Sequence, residues 1–70
     1  MDWSTILKLI RENLCISQTE LAQLLGVSFV SVNRWENGHF EPTLKVKRKI
    51  LRFCRDNGIK IEDYDYLPKH

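Results

Sequence analysis

The segment from Gln18 to Asn37 constrains the fold of this chain more than any other feature of the sequence. Ser17 and Glu20, at its start, have the spacing of a capping box, in which each side chain accepts a hydrogen bond from the other residue's backbone amide. Apolar residues follow at three- and four-residue steps, as in a helix with one buried face. Gly26 can then adopt the left-handed conformation that ends a helix without a steric clash. These features predict a short helix followed by a tight turn.

A second short helix is predicted directly after this turn. Ser28 can cap its first turn, while Val32 and Trp35 are three residues apart and share one helical face. Ala22, in the preceding helix, is small where two steeply crossing helices have to approach closely. A small residue, a glycine turn and a buried branched residue in this order are typical of a DNA-binding helix-turn-helix.

The same residues resemble the XRE-like family, which includes the repressors and Cro proteins of lambda-type phages. The resemblance runs from about Ile6 to about Phe53 and has no gap over the motif itself. It implies an all-α fold, a small bundle of four to five helices with a helix-turn-helix, as in lambda-repressor-like DNA-binding domains. The matching positions are Ser17, Gln18, Leu21, Ala22, Leu25, Gly26, Val27, Ser28, Val32, Arg34, Trp35, Glu36, Asn37, Gly38 and Pro42.

The segments on either side of the motif complete the predicted domain. Apolar residues recur at helical spacing between residues 2 and 13, which predicts an amphipathic first helix. Thr43 can cap a further helix over residues 44–57, and Gly58 can end it. The helix-turn-helix domain is therefore predicted to cover residues 1–58. Residues 59–70 form a short tail, for which a strand, a docking arm and a partly disordered end are alternatives.

Charge is distributed unevenly along the chain. The net charge is only +2, but residues 45–55 contain six lysine and arginine residues and no acidic residue. Acidic residues follow at position 56 and in the tail. A basic face that is separate from an acidic segment fits a polyanion on one side of the molecule, although a solvated helix face has the same composition.

A recognition helix over residues 28–37 would present its outward side chains to base edges in the major groove. Arg34 can donate two hydrogen bonds to guanine, Asn33 can pair with adenine, and apolar side chains can pack on thymine methyl groups. Two alternatives remain: Phe29 can fold back on the core, and Arg34 can contact a phosphate or stay a free surface charge. With the outward positions that the resemblance implies, the predicted base contacts are Ser28, Phe29, Val30, Asn33 and Arg34.

Phosphate contacts are predicted around the two ends of the motif. Gln18 begins a helix, where the free backbone amides and the helix dipole favour an anion. In the resembled family a glutamine at this place binds phosphate and steadies the recognition helix. The predicted phosphate contacts are Gln18, Thr19, Ser31, Asn37, Gly38 and Lys45.

The resemblance also implies structural roles for several residues. In the family an arginine at the position of Arg11 pairs with the glutamate of the Trp-Glu-Asn sequence, here Glu36. Such a pair would satisfy a partly buried carboxylate, whereas the alternative is a solvated Arg11. The other residues with predicted structural roles are Ala22, Gly26, Val32 and Trp35.

Taken with the resemblance, these features predict a sequence-specific transcriptional regulator, a repressor of phage or bacterial type. Its partner would be double-stranded DNA with an inverted-repeat operator, which it would bind as a homodimer. Two dimer surfaces are possible: the exposed side of the last helix near Phe53 and Arg55, or the tail at Ile59, Ile61, Tyr64 and Tyr66. The tail is favoured, because its apolar side chains have no place in the predicted core, whereas the basic residues of the last helix would repel each other across a two-fold axis. The alternative is a protein-interaction module, such as an antitoxin or an adaptor.

Other classes of protein are not supported by the sequence. No serine has a neighbouring histidine and acid, and no glycine-rich phosphate loop is present, so no enzyme is predicted. The two cysteines, Cys15 and Cys54, do not have metal-site spacing with the histidines and are expected in the core, so no metal or cofactor is predicted. Without a signal peptide or a long apolar run, we expect a cytoplasmic protein with no membrane contact.

Overall fold

The computed structural model describes residues 2–61, and this part of the chain contains four helices and no strand. α1 covers Trp3–Leu14, α2 Gln18–Leu25, α3 Phe29–Glu36 and α4 Leu44–Asp56. The predicted all-α fold is confirmed, and the predicted helix ends agree with the observed ones to within one residue. No helix in residues 2–61 is long and apolar enough to span a membrane.

Each helix begins at a polar residue whose side chain accepts a hydrogen bond from the first turn. These residues are Asp2, Ser17, Ser28 and Thr43. Such caps satisfy backbone amides that have no partner inside the helix, and each stabilises its helix by about 1 kcal/mol. Because the sequence determines every cap locally, the helix starts were predictable without tertiary information.

The core lies where the apolar faces of the four helices meet. Ala22, in α2, is 3% exposed and Val32, in α3, is 0% exposed, so the two motif helices pack closely. Gly26 joins them with φ 70°, a left-handed conformation that disfavours any residue with a Cβ. The buried apolar residues are Trp3, Ile6, Leu7, Ile10, Leu21, Ala22, Leu25, Val32, Trp35, Ile50, Cys54, Ile59 and Ile61.

The core extends past the glycine that follows α4. Ile59 is 8% exposed and Ile61 is 4% exposed, and the Ile59 amide donates to the Cys54 carbonyl at 2.8 Å. The prediction that these two isoleucines belong to a dimer surface, because the core had no place for them, is therefore wrong. Of the three alternatives for the tail, residues 59–61 dock on the core without forming a strand. Tyr64 and Tyr66 lie outside the described residues.

The two cysteines have different environments. Cys54 is buried, and burial raises the pKa of its thiol to about 11. Cys15 is exposed, which corrects the prediction that both belong to the core. It follows the last residue of α1 with φ 55°, where the chain turns out of the helix, and its Sγ lies 3.7 Å from the Glu12 carbonyl oxygen. Within residues 2–61 no group of three or more histidine, cysteine or acidic side chains could hold a metal ion.

Candidate nucleic-acid interface

One side of α3 is buried and the other is open to solvent. Val32 and Trp35 pack in the core, whereas Phe29 is 48% and Val30 52% exposed at the first turn of the helix. Phe29 therefore does not fold back on the core, which was the alternative left open by the sequence. Large apolar side chains cost free energy in water, so their exposure at this helix end makes it a candidate contact surface.

Arg34 extends this exposed surface along α3. Its guanidinium carbon lies 5.6 Å from the centre of the Phe40 ring, in the loop after the helix. A cation over an aromatic face is attracted by the ring and retains its planar hydrogen-bond donors at the edge. Phe40 thus restricts where Arg34 points, a contact that the sequence analysis did not foresee.

Ser28 and Ser31 are both engaged in capping α3. The Ser28 hydroxyl accepts from the Ser31 amide at 3.1 Å, and the two hydroxyl oxygens lie 2.9 Å apart. Ser28 is exposed and Ser31 is half-buried. Both hydroxyls therefore lie at the end of α3 that carries Phe29 and Val30.

A partly buried ion pair ties α1 to the end of α3. Arg11 donates from Nε and Nη2 to the two carboxylate oxygens of Glu36, both at 2.7 Å. The Glu36 side chain is 3% exposed and that of Arg11 28%. Ser4 adds a bond from its hydroxyl to the Glu36 carbonyl at 2.9 Å. The solvated alternative for Arg11 is thus excluded, and α3 is fixed to α1 at its C-terminal end.

The surroundings of Glu36 keep its carboxylate ionised. Burial alone would raise its pKa, but the hydrogen bonds from Arg11 and Gln18 and the positive charge of Arg11 outweigh burial and lower the pKa. The same contact raises the pKa of Arg11, chiefly through its hydrogen bond to Glu36. A charged Glu36 can only accept hydrogen bonds, and this property orients the amide next to it.

Side-chain amides extend from Glu36 across the motif. Gln18 donates from Nε2 to Glu36 at 3.1 Å, and its Oε1 accepts from Asn33 at 3.2 Å. Asn33 in turn accepts from the Asn37 side chain at 3.1 Å. Because Glu36 must accept, each amide in this chain of bonds is fixed in one direction. The amide chain connects the start of α2 with the last turn and C-cap of α3.

The remaining predicted phosphate contacts have mixed environments. Thr19 and Lys45 are exposed near the starts of α2 and α4, and Asn37 is exposed at the end of α3. The Gly38 amide donates to the Trp35 carbonyl at 3.1 Å. It is therefore occupied inside the protein and is not free in this structure to bind a phosphate.

A contact between α4 and the turn of the motif was also missed. Lys49 donates from Nζ to the Leu25 carbonyl at 2.9 Å, across 24 positions of the chain. The bond satisfies a carbonyl that has no partner at the end of α2, and the positive charge favours that helix end. Local spacing cannot indicate such a contact, because it depends on how α4 crosses the motif.

Comparison with known proteins identifies a family that matches this chain. A family model described as helix-turn-helix matches residues 7–55. The HTH-type transcriptional regulator DicA of Escherichia coli (strain K12) is 41% identical over 61 residues, which cover 83% of this chain and 44% of that protein. The uncharacterized HTH-type transcriptional regulator MJ0272 of Methanocaldococcus jannaschii is 42% identical over 48 residues, which cover 69% of this chain and 68% of that protein.

The matches cover most of this chain but different shares of the two relatives. This chain spans less than half the length of the Escherichia coli relative, so the match concerns one part of that protein. No solved structure gives a significant match. The family match covers all four helices except the first residues of α1 and the last residue of α4. The chain therefore belongs to the XRE-like helix-turn-helix family of transcriptional regulators.

Proposed function

We propose that this protein is a sequence-specific DNA-binding transcriptional regulator, a repressor of phage or bacterial type, that reads the major groove with α3. The observation that carries the proposal is the exposed face of α3, whose polar residues are held to α1 and α2 by the ion pair and the amide chain. A rigid recognition helix loses little conformational entropy when it enters the groove.

The exposed side chains of α3 have the chemistry that base edges require. Arg34 donates to the O6 and N7 atoms of a guanine, which is the commonest specific contact in the major groove. Phe29 and Val30 pack on thymine methyl groups, and Ser28 hydrogen-bonds to either base of a pair. Asn33 has one amide hydrogen and one oxygen lone pair left beside its two protein bonds, and these contact an adenine.

Phosphate contacts orient the protein on the duplex. Gln18 uses its second Nε2 hydrogen for a phosphate oxygen, while its first hydrogen remains bonded to Glu36. Thr19 and Ser31 bind the same strand, and Asn37 and Lys45 bind phosphates on the other side of the groove. The Gly38 amide is left out of this set because of its bond to Trp35.

Regulation follows from occupancy of an operator by two copies of the protein. A single small module buries too little surface for operator-grade affinity, so we propose a two-fold dimer on an inverted repeat. The half-sites would lie about 34 Å apart, one turn of the duplex. Bound in the cytoplasm to a promoter, such a dimer blocks the polymerase.

A protein-interaction module is the second candidate. Phe40 is 59% exposed and Leu24 55% exposed, and neither is among the proposed base contacts. Exposed apolar side chains of this size are used in protein interfaces as well as in the major groove. An antitoxin or adaptor would bind its partner protein through these residues and would need no particular DNA sequence.

Selection of bound duplexes from a random pool separates the two candidates. The expected result is an enriched half-site that occurs in inverted pairs, with affinity that falls steeply as salt is raised. If no sequence is enriched and binding to mixed DNA stays weak at low salt, the DNA-binding proposal is refuted.

A further inference from the structure

Four cations form one continuous surface on α4. Lys45, Arg48, Lys49 and Arg52 occur at intervals of three and four residues, so they share one face of the helix. All four are exposed, and together they line an open depression of about 220 Å³. We call this surface the basic stripe. From residue 45 to residue 52 it extends about 10 Å along the helix, which is the axial length of about three phosphates on one DNA strand.

The basic stripe differs from the other cations of α4 in how it is neutralised. Lys47, off the stripe, pairs with Glu41 at 3.2 Å and lies over the Trp3 ring. Arg55 forms an ion pair with Asp56, with Nε 3.6 Å from Oδ1. Within residues 2–61 no carboxylate forms an ion pair with any of the four stripe residues. Like charges at this spacing repel each other, and an anion in the depression would remove that repulsion.

The position of the stripe points to one particular anion. Lys49 binds the Leu25 carbonyl, and its Nζ lies 3.5 Å from where a Cβ on Gly26 would be. The stripe therefore lies beside the turn of the motif, two residues before the cap of α3 at Ser28. That end of α3 is the one proposed to enter the major groove, whose rims are phosphate strands about 12 Å apart. A charged surface beside this end is placed for a phosphate strand.

We propose that the basic stripe is a second phosphate-binding surface, which holds the DNA backbone next to the groove that α3 enters. This inference rests on the proposed function and adds Arg48, Lys49 and Arg52 to the residues that contact DNA. Arg48 and Arg52 bind phosphate oxygens through their planar guanidinium groups, two donors at a time. Lys49 has two further hydrogens beside the one bonded to Leu25, and it also keeps the stripe attached to the motif.

A matched pair of double variants tests the stripe in the full chain. Arg48→Gln with Arg52→Gln removes two exposed charges from the stripe, and Arg55→Gln with Lys60→Gln removes two exposed charges elsewhere. Binding to a pool of short random-sequence duplexes is measured by fluorescence anisotropy over a range of salt concentrations. The slope of log affinity against log salt should become shallower by about 1.8 for the stripe variant, because each phosphate contact contributes about 0.9.

Over a fourfold rise in salt, this difference means that the stripe variant loses about twelvefold less affinity than the unchanged protein. The control variant should keep the original slope, and both variants should keep the original sequence preference, since phosphate contacts carry no base information. Equal slopes of log affinity against log salt for the two variants would show that only net charge matters, and would overturn the proposal that the stripe binds phosphates.

Three further outcomes are decisive. If the stripe variant binds DNA normally but changes the salt dependence of thermal unfolding, the occupant is the chain's own acidic segment 62–65 and the DNA assignment is overturned. If Arg34→Ala alters binding while the stripe variant does not, the stripe inference fails alone and the proposed function stands. An unchanged protein that binds no DNA at all refutes both.

Discussion

Removal of either partner from the Arg11–Glu36 ion pair should destabilise the protein, and the two losses should differ. Arg11→Ala leaves a carboxylate that is 3% exposed without its charged partner, for which we expect a loss of about 3–5 kcal/mol. Glu36→Ala leaves an arginine that is 28% exposed and can turn to water, so the loss should be smaller, below about 3 kcal/mol. The two losses differ because Glu36 stays buried when Arg11 is removed, whereas Arg11 can reach water when Glu36 is removed.

The pH dependence of stability gives a sharper signature than the size of the loss. In the unchanged protein the pKa of Glu36 is lowered, so its contribution is present above the unfolded value of about 4.3 and is lost as pH falls through the folded value. Burial is the largest single influence on this group and raises its pKa. Without Arg11 we therefore expect a raised pKa, and a contribution that is present below about 4.3 and lost as pH rises through the folded value.

Urea titrations from acid to neutral pH measure this directly, with a stabilising osmolyte for the weakest variants. Stability of the unchanged protein should rise with pH across the acid range, whereas that of Arg11→Ala should fall. The double variant should lose less than the sum of the single variants, with a coupling of about 0.5–3 kcal/mol. Arg55→Ala, at a side chain that is 77% exposed, is the control and should change stability by less than about 0.5 kcal/mol. Additive losses, or an Arg11→Ala profile parallel to the original, would refute a stabilising pair between Arg11 and Glu36.

Four other outcomes are expected. Arg34→Ala should cost about 1–3 kcal/mol of specific binding free energy and relax the preference at one base pair, which binding curves on operator variants would measure. An equal loss on every operator variant would show that Arg34 contacts phosphate instead of a base. Gln18→Ala should weaken binding to all sequences alike, and a changed selected sequence would contradict this role. In the folded protein a thiol reagent should modify Cys15 quickly and Cys54 only on unfolding, because the buried thiol has a pKa of about 11; two fast thiols would contradict the burial. A chain that ends at Ile61 should keep its fold, because Ile59 and Ile61 remain in the core, but it should no longer form a dimer on an inverted-repeat site. Light scattering measures the mass of the complex, and a dimer equal to that of the full chain would exclude residues 62–70 from the dimer surface.

The sequence by itself determined the helices and the motif. Ser17, Ser28 and Thr43 cap their own helices, and the glycine at position 26 ends α2, because each acts on backbone groups within a few residues. Apolar spacing fixed which face of each helix is buried, since that depends only on the helical repeat. The all-α fold and the family could therefore be predicted from residues that are close together in the chain.

Only the tertiary structure decided where the remaining groups lie. Whether Ile59 and Ile61 complete the core or remain available for a partner depends on the space left between the helices, and no local pattern encodes that space. The bonds from Asn33 to Gln18 and from Lys49 to the Leu25 carbonyl join residues 15 and 24 positions apart, so they exist only once the helices cross. Local interactions set the elements of this protein, whereas side-chain contacts between elements, which depend on packing geometry, set the surface that it presents.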